Sequence, residues 1–165
     1  MTYQITLPKL PKNLSELKAM PEAGLQKPEE VVALTVAALC AYPENPQSCY
    51  EMLDYLRGPR PLSGMEKQFI RDRFMDGVDY VPRSYLAGAT PENDYTPAVP
   101  YTVTVKDSAS QLADEGYRKF DVPSGGADSP RPVTLRNKPS TGQWFLWEQM
   151  LLVQVRKPKS RDEWA

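Results

Sequence analysis

The sequence predicts an α+β fold, in which an N-terminal layer of three main helices packs on a mainly antiparallel sheet of about five strands. Helix start and stop signals crowd into residues 28–77. From Tyr80 onward, alternating apolar runs are separated by turns rich in proline and glycine, which is typical of strands. A chain of 165 residues has the length of a single domain.

We therefore expect one domain, residues 1–165, with four successive parts. Residues 1–27 form an N-terminal arm and a short helix, and residues 28–77 form the helical layer. Residues 80–158 form the sheet, and residues 159–165 form a charged tail. The arm contains the run Tyr3–Leu7, which could add an edge strand.

The strongest helix signal begins at Pro28, a residue favoured at the first helical position. From Val31 to Ala41 the chain is apolar almost all round, which is typical of a core helix. A second helix is predicted to start at Asn45 and end at Gly58. The third begins at Ser63 with a capping-box pattern and runs to Gly77.

Strands are predicted at Tyr101–Val105, at Tyr117–Val122 and in a C-terminal hairpin followed by a return strand. The run Trp144–Trp147 places large rings on both faces, so we expect this strand to be central in the sheet and its two tryptophans to be core residues. Residues 81–89 are predicted to be extended.

Composition excludes several function classes. The chain has no histidine, which removes nucleophile systems built on histidine and most zinc sites. A net charge of −1 without a basic stripe argues against a nucleic-acid partner. No apolar run is long enough to span a membrane, and no secretory signal is visible. We interpret Cys40 and Cys49 as buried reduced thiols of a cytoplasmic protein.

One loop has the composition of a ligand site. Its glycines could let backbone N–H groups converge on an anion, and two arginines could add positive charge. The candidate binding residues are Ser124, Gly125, Gly126, Asp128, Arg131 and Arg136. The alternative is a bulged hairpin turn, in which Asp128 and Ser129 bond to the local backbone.

A second candidate is an interface rich in tyrosine around the proline-rich loop. Aromatic rings and arginine are enriched at protein interfaces and in ligand clefts. The residues concerned are Tyr80, Arg83, Tyr85, Tyr95 and Tyr101. The alternative is that these rings only cover the open edge of the sheet.

Two segments resemble an uncharacterised family of small bacterial proteins. They are YVPRSYLAGATPENDYTP and SGGADSPRPVTLRNKPSTGQWFLWE, and the resemblance extends over roughly residues 45–165. It implies a bacterial, cytoplasmic setting and no assigned activity. The order of helices before strands is also similar to the cystatin-like cone of the nuclear-transport-factor-2 superfamily, which implies a fold and no function.

For function, we expect a non-catalytic binding or assembly protein that recognises a protein or a small anionic ligand, without a cofactor. Self-association or an unknown protein partner is compatible with this expectation. One alternative is a small hydrolase or isomerase that uses carboxylates and tyrosines in a cone-shaped pocket. Another is a metal-dependent enzyme that uses Asp72, Asp76 and Asp79, although acidic and basic residues alternate there as on any solvated helix face.

Overall fold

The N-terminal half of the chain forms the helices, each of which begins where the sequence predicts. The computed structural model describes residues 1–165. Asn13 and Asn45 accept backbone N–H groups of the first helical turn, and Ser63 forms a reciprocal capping box with Glu66. The helices are α1 (Leu14–Lys18), α2 (Pro28–Cys40), α3 (Pro46–Arg57) and α4 (Gly64–Arg73).

The sheet has five strands in the order β1-β2-β3-β4-β5, and every neighbouring pair is antiparallel. The arm supplies an edge strand, as predicted. The fold is therefore α+β, with the helices mostly N-terminal and the sheet mostly C-terminal, which confirms the predicted class. The strands are β1 (Thr2–Leu7), β2 (Tyr101–Asp107), β3 (Tyr117–Val122), β4 (Arg131–Lys138) and β5 (Gln143–Gln149).

Helix α2 is the centre of the hydrophobic core. Its residues Val31–Leu39 are all buried, because α2 contacts all five strands and is also covered by α3. The prediction of a core helix is confirmed. The sheet has one face against α2, and its other face is turned to solvent, so we call the latter the open face.

The prediction for β5 is wrong in two respects. This strand lies at the edge of the sheet, next to β4 only. The chain after it does not return as a strand, although Leu151 and Val155 are buried. The prediction rested on hydrophobicity alone, whereas the outer edge of β5 is covered by the segment before α2 and by Arg60 after α3 instead of by a strand. There the N–H of Trp144 donates to the carbonyl of Leu25 at 2.8 Å.

Residues 81–89 also differ from the extended segment predicted. Pro82–Tyr85 form a 3-10 helix, and only Leu86 makes an isolated bridge to Val103 of β2. The Arg83 side chain holds this turn, since it donates to the carbonyls of Asp79, Asp94 and Tyr95. A proline that fixes φ at the start and a side chain that satisfies three carbonyls make a turn preferable to a strand here.

The C-terminal tail folds back on these loops. The Arg161 guanidinium lies 2.9 Å from the Asp79 carboxylate and 5.5 Å from the centre of the Tyr80 ring. Lys159–Arg161 form a short 3-10 helix, whereas Trp164 is 92% exposed. None of the helices combines the length and the apolar character needed to cross a lipid bilayer.

Candidate anion-binding groove

A basic groove lies where the end of α3 meets the β4–β5 hairpin. Its volume is ≈ 400 Å³. Four cationic side chains and two aromatic rings contribute to its walls, and no carboxylate does. These side chains are Arg57, Arg60, Arg136, Lys138, Phe145 and Trp147. We call this site the basic groove.

Gly58 brings the helical layer close enough to the hairpin to form one wall. It ends α3 with a φ of 62°, which favours glycine. A Cβ atom at this position would overlap the ring of Phe145. The chain can therefore pass directly over Phe145 and carry Arg60 to the far side of the hairpin.

The position of Trp147 depends on a β-bulge in β5. Leu135 is paired with Leu146 and Thr134 with Glu148, so Trp147 is the extra residue of the bulged strand. Bulges re-aim a side chain, and here the ring of Trp147 meets Tyr117 on the open face at a centroid distance of 5.4 Å. Trp147 is half-buried and is not part of the hydrophobic core, so its prediction as a core residue is wrong.

Two guanidinium groups lie over the ring of Trp147. The Arg60 Cζ is 3.8 Å from the ring centre, and the Arg136 Cζ is 4.7 Å from it. Arg136 also lies 5.4 Å from the Tyr117 ring centre. Such cation–π contacts are worth about 0.5–1 kcal/mol each at exposed sites. They hold the two guanidinium groups in place but do not neutralise their positive charges.

The register of the sheet explains why Arg136 and the rings meet. Arg136 lies opposite Tyr117 of β3 on one side and opposite Phe145 of β5 on the other. Residues directly opposite each other in antiparallel strands point to the same face. All three side chains therefore lie on the open face, whereas Leu135 points into the core.

The positive charge of the groove is mostly uncompensated. Arg60, Arg136 and Lys138 have no carboxylate within ion-pair distance, although the chain forms six ion pairs outside the groove and one at Arg57. Arg60 donates to the carbonyl of Trp147. The guanidinium of Arg136 is exposed and donates to no atom of the protein, so its N–H groups are available to a ligand.

Arg57 is different, because it is 6% exposed and paired with Glu66. Its Nη2 lies 2.8 Å from the Glu66 carboxylate. Burial lowers the pKa of Arg57, and the charge of Glu66 opposes that change. Its Nε donates to the carbonyl of Arg60 at 2.9 Å, so Arg57 also supports the turn that carries Arg60.

A second depression, of ≈ 380 Å³, shares Trp147 with the basic groove. Tyr117 also contributes to its walls, together with Leu112 and Met150, each 48% exposed. Lys119 and Glu148 line it as well, so its lining is mixed polar and apolar and includes a carboxylate.

The glycine-rich loop does not present free amides. The N–H of Gly125 donates to the carbonyl of Ser84 at 2.7 Å, and that of Gly126 donates to the Ser124 hydroxyl at 3.1 Å. A Cβ at Gly125 would overlap the carbonyl of Ala89, so the glycines serve close packing of loops. Ligand binding at this loop stays a prediction without support from the hydrogen bonding.

The charged residues predicted with that loop are separated by the fold. Asp128 pairs with Arg156 at 3.0 Å. Arg131 donates to the carbonyls of Ser129 and Gln154, which ties β4 to the C-terminal segment. Of the six predicted binding residues, Arg136 alone is in the basic groove.

The tyrosines predicted as an interface are mostly internal. Tyr80 and Tyr95 stack with ring centres 5.4 Å apart and are 7% and 0% exposed. Tyr85 is also buried, and its hydroxyl donates to the carbonyl of Leu151 at 2.6 Å. These rings therefore hold the C-terminal segment against the loops and do not form an exposed surface. Half-buried Tyr101 and Arg83 stay the accessible members of the predicted interface.

The carboxylates considered for a metal do not converge. Helix α4 ends at Arg73, and Asp76 has a positive φ of 61°, so Asp72 and Asp76 do not share a helix face. Asp72 accepts from Gln68, and Asp79 pairs with Arg161. No group of three acidic, cysteine or histidine side chains in the structure could hold a metal ion.

Comparison with known families adds one finding. Residues 9–159 match the family described as a domain of unknown function, DUF6935. The chain belongs to the DUF6935 family. The resemblance to an uncharacterised family is thereby confirmed, and the matched residues include the whole basic groove.

No curated protein matches the chain, and no solved structure does. The likeness to the nuclear-transport-factor-2 cone therefore stays a prediction.

Proposed function

We propose that this member of the DUF6935 family is a binding protein that takes a small anionic ligand in the basic groove. One observation carries the proposal. The Arg136 guanidinium lies over the rings of Trp147 and Tyr117, yet it has neither a carboxylate nor a hydrogen-bond acceptor from the chain. A fixed, exposed arginine without a partner is suited to bind an anion with two parallel hydrogen bonds.

The size and charge of the groove favour a small molecule. A volume of ≈ 400 Å³ is within the usual range of small-molecule sites. Arg60, Arg136 and Lys138 surround one concavity and do not form a stripe along the surface, which a nucleic-acid backbone would need. The ligand class is therefore a compound that bears a phosphate or carboxylate group.

Two further properties fit this proposal. Cys40 and Cys49 are free thiols. Burial raises the pKa of both, that of Cys40 to about 12, so both are suited to a reducing cytoplasm and unsuited to nucleophilic chemistry. Among the carboxyl groups, burial raises the pKa of Glu30, which lies in the first turn of α2 and outside the groove. The groove itself has no carboxylate in its lining, and the hydrolase or isomerase alternative requires one.

A thermal-stability titration tests the proposal with inorganic pyrophosphate and citrate as probes. A ligand that binds only the folded state stabilises it, by about 2.7 kcal/mol at a hundredfold excess over Kd. Both anions are expected to raise the melting temperature of the wild type at low ionic strength. Arg136→Gln is expected to remove most of this shift.

Lys106→Gln is the matched control, because Lys106 is exposed on the open face and lies outside the groove. It changes net charge by the same amount, so it should keep the wild-type shift. Equal shifts in the two variants would mean that only net charge matters and would overturn the proposal. So would the absence of any shift with both anions in the wild type.

A further inference from the structure

The outer edge of β1 has free backbone groups at alternate residues. The N–H of Asp107 donates to the carbonyl of Met1 at 3.0 Å, which makes the odd-numbered residues of this arm the ones bonded to β2. Hydrogen-bonded and non-bonded pairs alternate along antiparallel strands. The N–H and C=O groups of Thr2, Gln4 and Thr6 therefore point away from β2, and no backbone group of the chain bonds to them.

The two edge strands of the sheet, β1 and β5, differ in what covers their outer edges. At β5, the carbonyl of Leu25 and the side chain of Arg60 occupy the outer edge. At β1, residues 2–7 contain no charge and no proline, and their register with β2 shows no bulge. Charges, prolines and bulges are the devices that normally prevent an edge strand from pairing with another chain.

We propose that β1 pairs with β1 of a second copy in an antiparallel, two-fold arrangement. The run Thr2-Tyr3-Gln4-Ile5-Thr6 has the same pattern in both directions. With Gln4 opposite the partner's Gln4, Thr2 lies opposite the partner's Thr6 and Tyr3 opposite the partner's Ile5. Pairs of threonines and of aromatic with β-branched residues stabilise antiparallel strands.

Hydrogen bonding and burial agree on this register. The residues of β1 whose backbone groups point away from β2 are all even-numbered. A register centred on Gln4 therefore places each of their N–H groups opposite a C=O group of the partner that also points outward. Tyr3 and Ile5 then form non-bonded pairs, in which side chains approach most closely. Both side chains are only half-buried in the single chain, and the added strand would cover them further.

A strand pair of this length makes a weak dimer. Two six-residue strands bury less than the roughly 1,200 Å² of the smallest stable interfaces. We therefore expect association only at high protein concentration. The joined sheet would be continuous through both copies, with the two basic grooves at its far ends, so the association is independent of anion binding.

Gln4→Pro tests the pairing selectively. Proline removes an N–H that points outward, so the ladder between β1 and β2 keeps all its bonds, and an edge strand tolerates proline in that orientation. Gln4→Ala is the matched control. Sedimentation velocity over rising concentration should show a doubling of mass for the wild type and Gln4→Ala, while Gln4→Pro stays a monomer.

Hydrogen exchange on the wild type gives a second readout that needs no variant. The amides of Gln4 and Thr6 should become protected as concentration rises, whereas those of Tyr3 and Ile5 are already bonded to β2. A wild type that stays monomeric would overturn the proposal. Dimers of Gln4→Pro as strong as those of the wild type, or protection that rises at another element such as α4, would overturn it too.

Discussion

Gly58 combines two constraints at one backbone position. Its φ of 62° is costly for any other residue, and a Cβ would overlap the Phe145 ring. Gly77 has a φ of 76° but open space around it, and Gly64 has neither constraint. These three glycines therefore separate the conformational cost of a side chain from the steric cost.

Alanine at each of these glycines should give a graded loss of stability. Gly64→Ala should change the free energy of unfolding by less than about 0.5 kcal/mol, and Gly77→Ala should lower it by about 1 kcal/mol. Gly58→Ala should cost more than about 2 kcal/mol, because overpacking adds to backbone strain. Urea unfolding of the three variants measures the order. A Gly58→Ala cost no larger than that of Gly77→Ala would contradict the close approach to Phe145.

At the scale of an element, α4 depends on the group that caps it. Burial alone would raise the pKa of Glu66, but the backbone N–H of Ser63 and the charge of Arg57 outweigh it and lower that pKa below its usual value of 4.5. As pH falls, Glu66 therefore takes up a proton at a higher pH in the unfolded chain than in the folded one. The stabilisation is present in full above pH 4.5 and is lost as pH falls through the lowered pKa.

Glu66→Gln should consequently destabilise the protein most at neutral pH. The difference in unfolding free energy between wild type and variant should shrink on going from about pH 7 to about pH 3, because wild-type Glu66 becomes neutral in acid. Urea unfolding at both pH values measures it. Glu115→Gln is the control, since Glu115 is exposed and makes no ion pair. A difference that stays constant with pH would show that Glu66 acts by shape alone.

Elements were predictable from sequence where the signal is local. Asn13, Asn45 and Ser63 cap helices through residues three positions away, so their patterns are visible in a short window. The basic groove was not predictable, because it joins Arg60 to Trp147 across 87 positions of the chain. The sequence predicts a core position for Trp147, because no local pattern marks a bulge. The positive charge of Arg136, in contrast, is enough to make it a candidate ligand-binding residue.

The whole molecule depends on α2, which lies between the sheet and α3. Leu34→Ala should lower the free energy of unfolding by about 2–5 kcal/mol, because it leaves a cavity in a fully buried site. Leu112→Ala, at a side chain 48% exposed, should cost much less. Urea unfolding of the two variants measures the contrast. Comparable losses would contradict the burial of α2.

The order in which these parts occur along the chain has a consequence for synthesis in the cell. Helix α2 ends at Cys40, but the strands β2–β5 that cover it begin only at Tyr101. During translation, this apolar helix therefore has only β1, α3 and two 3-10 helices, at Pro21–Gly24 and Pro82–Tyr85, as partners until β2–β5 have left the ribosome. Nascent chains with such uncovered surface are prone to aggregate and are typical clients of chaperones.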